Sequence, residues 1–445
     1  MLVYFHIDEL ARDAVVASAL KKELKRIGDR LVYGNRTTTH LILRYFNVFD
    51  VIILPSLAHY IDAFPDSKHL PNNIVILQTE AIGQATGVLR RLNGKYFGDD
   101  SNQCEPWHKA VSLFLLWGYS HLNSFRQYYP SYLPKCKVVG HPRLSKSCNR
   151  PKKKVLVPTR EPTEKLVIGF VSRFNLLNPF DNRTPFESVC NGMKFGKPIF
   201  PLFENSNDKD VEDLFYTEVI DFRVMIQVMK SLDSNRYKLD VRSHPRENRQ
   251  GWERLAKKLG INIKVSPWDE PFGHWLQKVD LIIMPPSTSL YDIFFHGKIP
   301  IVISHVVASR ENHILTESDD NNQILEAVCR PKSVDEILSI IESGKVTFND
   351  EIVCQKLLEQ VAADIADMSI INIINALVDL GMPTKERRAK IRQYFLYGVY
   401  EVFSLSCAYL KWFRNRVWRR DIEQGSSFHL IISRIRWINR LTTSK

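Results

Sequence analysis

Short apolar segments alternate with amphipathic segments along most of the chain. Residues 2–7, 51–54 and 74–77 have the length and apolar composition of buried strands. Residues 8–28 instead carry apolar side chains at helical spacing and end at Gly28, which suits a helix terminus. Strands that alternate with helices in this way are typical of parallel sheets covered by helices. The first third of the chain is therefore predicted to be an α/β domain.

A second series of the same kind begins at residue 166. Strands are predicted at 166–171, 238–242, 263–265, 281–284 and 301–303, with helices at 221–231, 252–259, 272–278 and 290–296. Residues 145–165 between the two series are rich in Lys, Arg, Pro and Ser and are interpreted as a linker. We predict an α/β fold of two Rossmann-like domains, 1–150 and 166–345, that face a central cleft, followed by packing helices at 351–384.

The charge of the chain is concentrated at its end. The formal net charge is +12, and residues 385–445 contain 14 Lys and Arg against 4 Asp and Glu. Trp, Phe, Ile and Leu are interleaved with these arginines, as in helices that lie on a membrane surface. We predict that residues 385–445 bind an anionic membrane, and the nearly neutral remainder argues against a nucleic-acid partner.

Cysteine usage and the N-terminus favour a cytoplasmic protein. The seven cysteines are scattered without a C-x-x-C pair, which predicts neither a disulfide framework nor a zinc site. The first residues lack the basic and apolar regions of a signal peptide, and no uninterrupted apolar stretch of about 18 residues occurs. Motifs of P-loop kinases, dehydrogenases, zinc proteases and α/β-hydrolases are absent, and we predict no cofactor and no essential metal.

Two loops in the second series carry candidate chemistry. In VRSHPREN (241–248), His244 follows a predicted strand and is held extended by the next proline, where it could bind a phosphate or carboxylate or simply pack. In PPSTS (285–289), Ser287, Thr288 and Ser289 stand where a helix begins. Free amides and hydroxyls at such a terminus bind phosphate, although Ser and Thr are also common plain caps.

The order of these segments resembles the donor domain of bacterial GT-B transferases that use cytidine nucleotides. Three further stretches are similar to the surface carbohydrate biosynthesis family, which includes retaining β-Kdo transferases: residues 8–35, VILQTEAIG (75–83) and IGFVSRFNLLN (168–178). WGYS (117–120) and GHPRL (140–144) follow the same order. The likeness covers roughly residues 5 to 305, and the order of the segments gives it weight.

The resemblance implies a glycosyltransferase that transfers a sugar, with Kdo as one candidate, from a CMP-activated donor to a cell-surface glycan on the inner face of the cytoplasmic membrane. It implies that Glu80 and His244 are catalytic. It also implies that the donor is bound by a set of residues on three loops: Arg173, Asn175, His244, Ser287, Thr288 and Ser289.

Two alternatives remain open at this point. A glycerophosphotransferase that uses CDP-glycerol would need the same histidine and hydroxyl-rich turn. A non-catalytic scaffold that binds glycan or nucleotide is the other, since the family's paired carboxylate is replaced here by Gln78-Thr79-Glu80-Ala81.

Overall fold

A computed structural model describes residues 1–7, 10–45, 48–56, 73–77, 111–145, 165–179, 208–267, 270–303, 324–325, 327–380 and 398 of the 445-residue chain. The chain divides into two compact units. The first domain combines Met1–Arg150 with Gln355–Lys445, and the second domain is Pro151–Cys354. Glu80, residues 146–164 and, apart from Gly398, the predicted membrane-binding segment 385–445 lie outside the described residues.

The first domain is built on a parallel sheet of six strands. The strands are β1 (Leu2–His6), β2 (Arg30–Gly34), β3 (Val51–Leu54), β4 (Ile74–Leu77), β5 (Val111–Leu116) and β6 (Cys136–Val138). They lie in the order β2-β1-β3-β4-β5-β6, and every pairing is parallel. The helices of this part are α1 (Leu10–Arg26), α2 (Arg36–Tyr45) and α3 (Tyr119–Tyr128).

Alternation along β1 explains why both faces of this sheet are covered. Val3 and Phe5 point to one face and pack with α1, whereas Tyr4 points to the other and packs beside α2. Since both faces of the central strands β1, β3 and β4 are buried, these strands read as nearly continuous apolar runs in the sequence, as parallel strands do.

The second domain repeats this architecture with five strands. They are β7 (Leu166–Val171), β8 (Tyr237–Arg242), β9 (Ile263–Ser266), β10 (Leu281–Met284) and β11 (Pro300–Val302), in the order β11-β10-β7-β8-β9, again all parallel. The helices are α4 (Asp208–Ser231), α5 (Arg249–Leu259), α6 (Phe272–Lys278), α7 (Ser289–Phe295) and α8 (Val334–Ser343). The two parallel sheets confirm the predicted α/β class with two Rossmann-like domains.

After the second domain the chain returns to the first. Helix α9 (Asp350–Val361) is followed by a 3-10 turn (Ala366–Met368) and by α10 (Ser369–Asp379). Ile373 and Leu377 of α10 are buried in the core beside α1, and Ser369 Oγ donates a hydrogen bond of 2.8 Å to the carbonyl of Gly140. The last described helix therefore completes the first domain.

The stretch Asp350–Asp379 is, among the described residues, a helical segment long and apolar enough to cross a membrane by length and composition. Because this stretch contains no uninterrupted apolar run of about 18 residues, the sequence pattern did not predict it. Half of its most apolar window is buried inside the protein, and α10 contributes an apolar face to the first-domain core. These contacts are those of a core helix, which passes the same test.

Candidate functional site

The strand order of the second domain marks one place on its sheet. In chain order the sheet reads third, second, first, fourth and fifth strand, so the connections diverge on the two sides of β7. In open parallel sheets of this kind, ligands bind outside the carboxyl ends of the strands, at the point where the strand order reverses. Here that point lies between β7 and β10. The loops that follow β7, β8 and β10 carry the predicted donor-binding residues.

Arg173 spans this point. It follows β7, and its Nη1 donates a hydrogen bond of 2.6 Å to the carbonyl of Pro286 in the loop after β10. Its Nη2 lies 3.3 Å from the Asp221 carboxylate of α4. The Nε atom of Arg173 is buried without a hydrogen-bond partner. The same is true of Oδ1 of Asn175 in the same loop. A fixed guanidinium with unused capacity can bind a phosphate or a carboxylate.

His244 lies on the other side of the β7 loop (residues 172–178). Its backbone N–H donates to Oγ of Ser172 at 3.3 Å, so the loop after β8 is tied to the loop after β7. Its Nδ1 accepts from the N–H of Arg246 at 3.2 Å. Because Nδ1 accepts a hydrogen bond, the neutral imidazole carries its proton on Nε2, which makes Nε2 the donor side of the ring.

The Ser287–Ser289 turn differs from the prediction in one respect. The N–H of Ser289 is bound to Oγ of Ser287 at 3.3 Å, and the N–H of Leu290 to the carbonyl of Ser287 at 3.1 Å. The expectation of free helix amides is therefore wrong for these two groups. Helix α7 also has only seven residues, with Asp292 in its first turn, which weakens its dipole for an anion. Thr288 makes no side-chain capping bond, whereas the hydroxyl of Ser287 donates a hydrogen bond of 3.3 Å to that of Ser289.

Three buried carboxyl groups to which the sequence patterns assigned no role contact these loops: Glu218, Asp221 and Glu247. Burial raises the pKa of Glu218 to about 8, opposed by the hydrogen bond from Leu176 N–H and reinforced by the charge of Glu247. Burial likewise raises the pKa of Asp221 to about 6, against the lowering effect of Arg173. The sequence does indicate the burial of two of them, because residues 218 and 221 share the face of α4 that carries Val224 and Met225.

A cavity of about 570 Å³ opens at the opposite, amino edge of the second sheet. Five lysines line it, mostly where α4 and α6 end and strands begin: Lys165, Lys230, Lys238, Lys264 and Lys278. Helices end with partial negative charge, which lysines in the last turn compensate. This cavity lacks the convergent groups of the carboxyl edge, and we do not assign the candidate site to it.

In the first domain, His141 and Arg143 belong to the GHPRL segment (140–144) that contributes to the resemblance. The His141 ring is fully buried, with its centroid 3.9 Å from that of the Trp117 ring, and its Nδ1 accepts from the N–H of Arg143. His141 therefore packs within the domain and caps a turn.

Among the described residues, no group of three or more His, Cys, Asp or Glu side chains is placed to hold a metal ion. An Asp-x-Asp sequence, which metal-dependent transferases use, does occur at Asp208 and Asp210, where α4 begins. The absence of an essential metal stays a prediction.

No protein-family model and no curated protein matches the sequence. Solved structures of similar architecture include MnaA of S. aureus with UDP (11% identity, covering 86% of this chain and 98% of that chain). They also include the UDP-GlcNAc 2-epimerase of Neisseria meningitidis bound to UDP-GlcNAc (11%, 85% and 99%) and the wall teichoic acid polymerase TagF (9%, 86% and 90%). The TM-score is 0.45 in each case. The fold assignment rests on the two sheets themselves.

Proposed function

We propose that this protein is a glycosyltransferase that uses a cytidine-nucleotide-activated sugar, with CMP-Kdo as the first candidate, to extend a cell-surface polysaccharide. The second domain binds the donor. The observation that carries the proposal is the convergence of Arg173, His244 and the Ser287–Ser289 turn on adjoining loops at the point where the second sheet reverses its strand order.

The chemistry of these three groups suits an anionic donor. Two of the Arg173 N–H groups are already held by Pro286 and Asp221, so the guanidinium is oriented before a ligand arrives. A phosphate beside it would also meet the donor side of the His244 imidazole and the hydroxyls of the turn. Donors that are fixed in advance stabilise the charge that develops on a leaving nucleotide phosphate without further reorganisation.

The acceptor side of the proposal depends on Glu80. We assign to its carboxylate the removal of the proton from the attacking hydroxyl, or the stabilisation of an oxocarbenium-like centre. The proposed reaction forms a bond between the acceptor oxygen and the sugar, breaks the bond from the sugar to the phosphate, and releases CMP.

Nucleotide binding tests the donor site directly. We expect CMP or CDP at 100 times Kd to add about 2.7 kcal/mol to the free energy of unfolding of the full chain, and so to raise its unfolding temperature more than uridine, guanosine or adenosine nucleotides do. His244→Ala and Arg173→Lys should each weaken the affinity about tenfold or more, since each removes a charge-assisted or bidentate contact. Ser333→Ala, which removes the N-cap of α8 in the same domain, is the control and should leave Kd unchanged. Equal Kd values for wild type and His244→Ala would contradict the assignment.

Turnover separates the remaining candidates. Arg173 and His244 would serve the diphosphate of CDP-glycerol as well as the monophosphate of a CMP-sugar, so the same binding residues fit a glycerophosphotransferase. Release of CMP from CMP-Kdo but not from CDP-glycerol would support the glycosyltransferase, and the reverse would support the alternative. Nucleotide binding without release of CMP from either donor would indicate a non-catalytic scaffold.

The proposal includes a location. Residues 385–445 would hold the protein on the cytoplasmic face of the membrane through their arginines and aromatic residues. Deletion of 385–445 should abolish co-sedimentation with vesicles that contain phosphatidylglycerol while leaving nucleotide binding intact. Unchanged sedimentation would refute this role.

A further inference from the structure

The loops that follow β7 and β8 are joined along their whole length. Besides the Ser172–His244 bond, Asn178 Nδ2 donates to the carbonyl of Asn248 at 2.7 Å, and the N–H of Asn248 donates to the carbonyl of Asn178 at 2.9 Å. A β-bridge between Pro179 and Glu247 lies beside these contacts. Hydrogen bonds therefore join the two loops at both ends, and Arg173 lies on one of them while His244 lies on the other.

Glu247 is the centre of this connection. Its Oε2 accepts hydrogen bonds from Ser172 Oγ and from Trp252 Nε1, each at 2.7 Å. Its Oε1 accepts from the N–H of Phe174 at 2.5 Å. The carboxylate thus contacts the residues on both sides of Arg173, which stands between Ser172 and Phe174.

Ser172 links Glu247 to His244, whose backbone also acts on the Glu247 carboxyl directly as a hydrogen-bond donor. Its hydroxyl proton goes to Glu247, which leaves the oxygen to accept the N–H of His244 at 3.3 Å. Ser172 Oγ also lies 3.3 Å from the carbonyl of Arg242, so without the carboxylate the hydroxyl proton would turn to that carbonyl and the oxygen would be held less firmly towards the amide. In the wild type, the shorter bond to Glu247 fixes the buried hydroxyl in the orientation that accepts the His244 N–H.

We propose that Glu247, acting through Ser172, is a positioning residue that fixes the spacing between the Arg173 guanidinium and the His244 imidazole for one phosphate-bearing ligand. This inference rests on the donor site proposed above. It extends that proposal by assigning a role to two residues that do not themselves contact the ligand. If Glu247 and Ser172 are removed, Arg173 and His244 are both still present, but the distance between their side chains is no longer fixed.

A double-mutant cycle on the full chain tests the inference, with CDP as the probe and isothermal titration as the measurement. Ser172→Ala should weaken CDP binding about tenfold in the wild-type background. In the His244→Ala background the same change should weaken it only about twofold, because there is no longer an imidazole to misplace. Ser333→Ala, an equivalent loss of one serine hydroxyl elsewhere in the domain, should change Kd in neither background. The same factor for Ser172→Ala in both backgrounds would overturn the inference.

Hydrogen exchange in the ligand-free protein gives a second, independent measurement. Ser172→Ala should speed exchange at the His244 amide about tenfold, and Glu247→Gln should do so at both the Phe174 and the His244 amides, while amides within β8 stay protected. Unchanged protection of His244 in both variants would overturn the inference. If the wild type binds none of CMP, CDP and UDP, the proposed function fails, and faster exchange at both amides would still support the positioning of the two loops by Glu247.

Discussion

The two domains share one architecture, but the buried side chains whose pKa is shifted into the range from about 4 to 8 are a histidine in the first domain and carboxyl groups in the second. In the first domain, His121 of α3 is fully buried and neither ring nitrogen has a hydrogen-bond partner. Burial lowers the pKa of His121 to about 4. In the second domain, burial raises the pKa of Glu247 to about 7, against the hydrogen bonds from Trp252 and Ser172, and that of Glu218 to about 8. In each domain, burial thus favours the uncharged form of these groups. The uncharged form of His121 has lost its proton, whereas the uncharged forms of Glu247 and Glu218 retain theirs.

The difference predicts opposite responses to pH. A histidine with a lowered pKa adds stability that is present above its ordinary pKa of 6.5 and is lost as the pH falls towards 4. A carboxyl group with a raised pKa adds stability that is present below 4.5 and is lost as the pH rises towards 8. Acid should therefore weaken the first domain through His121, and mild alkali should weaken the second domain through Glu218 and Glu247.

The largest expected effect separates the unfolding of the two domains. Ile373→Ala removes a fully buried side chain of α10 from the first-domain core and should cost about 2–5 kcal/mol there. Val378→Ala on the exposed face of the same helix is the matched control and should cost less than about 1 kcal/mol. Calorimetry should show the first-domain transition moving down while the nucleotide-sensitive transition stays. If both transitions shift equally, the domains unfold as one unit and the comparison has to be made on the whole chain.

An intermediate effect is expected from Glu218→Gln. The amide oxygen can still accept the N–H groups of Leu176 and Leu177, which Glu218 binds at 3.0 and 3.3 Å, but the buried charge is gone. At pH 8 the second domain should gain about 1–3 kcal/mol, with little gain at pH 5, where Glu218 is already protonated. Glu253→Gln on the exposed face of α5 controls for the loss of a surface charge. A gain that is the same at pH 5 and pH 8 would show that Glu218 titrates normally.

The smallest of the three effects concerns His121→Leu. The leucine cannot be protonated, so the first domain should keep its stability between pH 6.5 and pH 5, where the wild type should lose on the order of 1–2 kcal/mol. His274→Leu, at an exposed position of the second domain, is the control. The measurement is the unfolding temperature of the first-domain transition at pH 7.5 and at pH 5. Parallel curves for wild type and His121→Leu would remove the histidine from the comparison.

The pattern of apolar residues predicted the bounds of some helices and strands correctly. Phe272–Lys278 and Leu281–Met284 have the predicted bounds. Packing helices were predicted at 351–384, and within the described part, 351–380, two α-helices are separated by a 3-10 turn, with Ala362 at a φ of 45°. Helix α4 begins 13 residues before the predicted position 221, at Asp208. Periodicity reports which face of a segment is apolar, but it does not report a single residue in the left-handed region.

The candidate site was predictable in its location and less so in its chemistry. That His244 and the 287–289 turn follow strands could be inferred from the apolar runs before them, and parallel strands bring such loops to one edge. The buried carboxylates were missed because the burial of Glu218 and Asp221 depends on how α4 packs beneath the β7 loop. Glu247 lies in the same segment as His244, yet its role follows only from its contacts with Ser172, Phe174 and Trp252.

The return of α10 to the first domain has a consequence for how the protein is made. A ribosome synthesises the six strands of the first sheet well before residues 369–379. The face of this sheet beside α1 therefore stays partly uncovered until the whole second domain has been synthesised. During that interval the nascent first domain exposes the apolar surface that Ile370, Ile373 and Leu377 later cover, and an exposed apolar surface of this kind is what chaperones bind. A fragment that stops at residue 150 would remain in this unfinished state, whereas the second domain is contiguous in sequence and can be completed during translation.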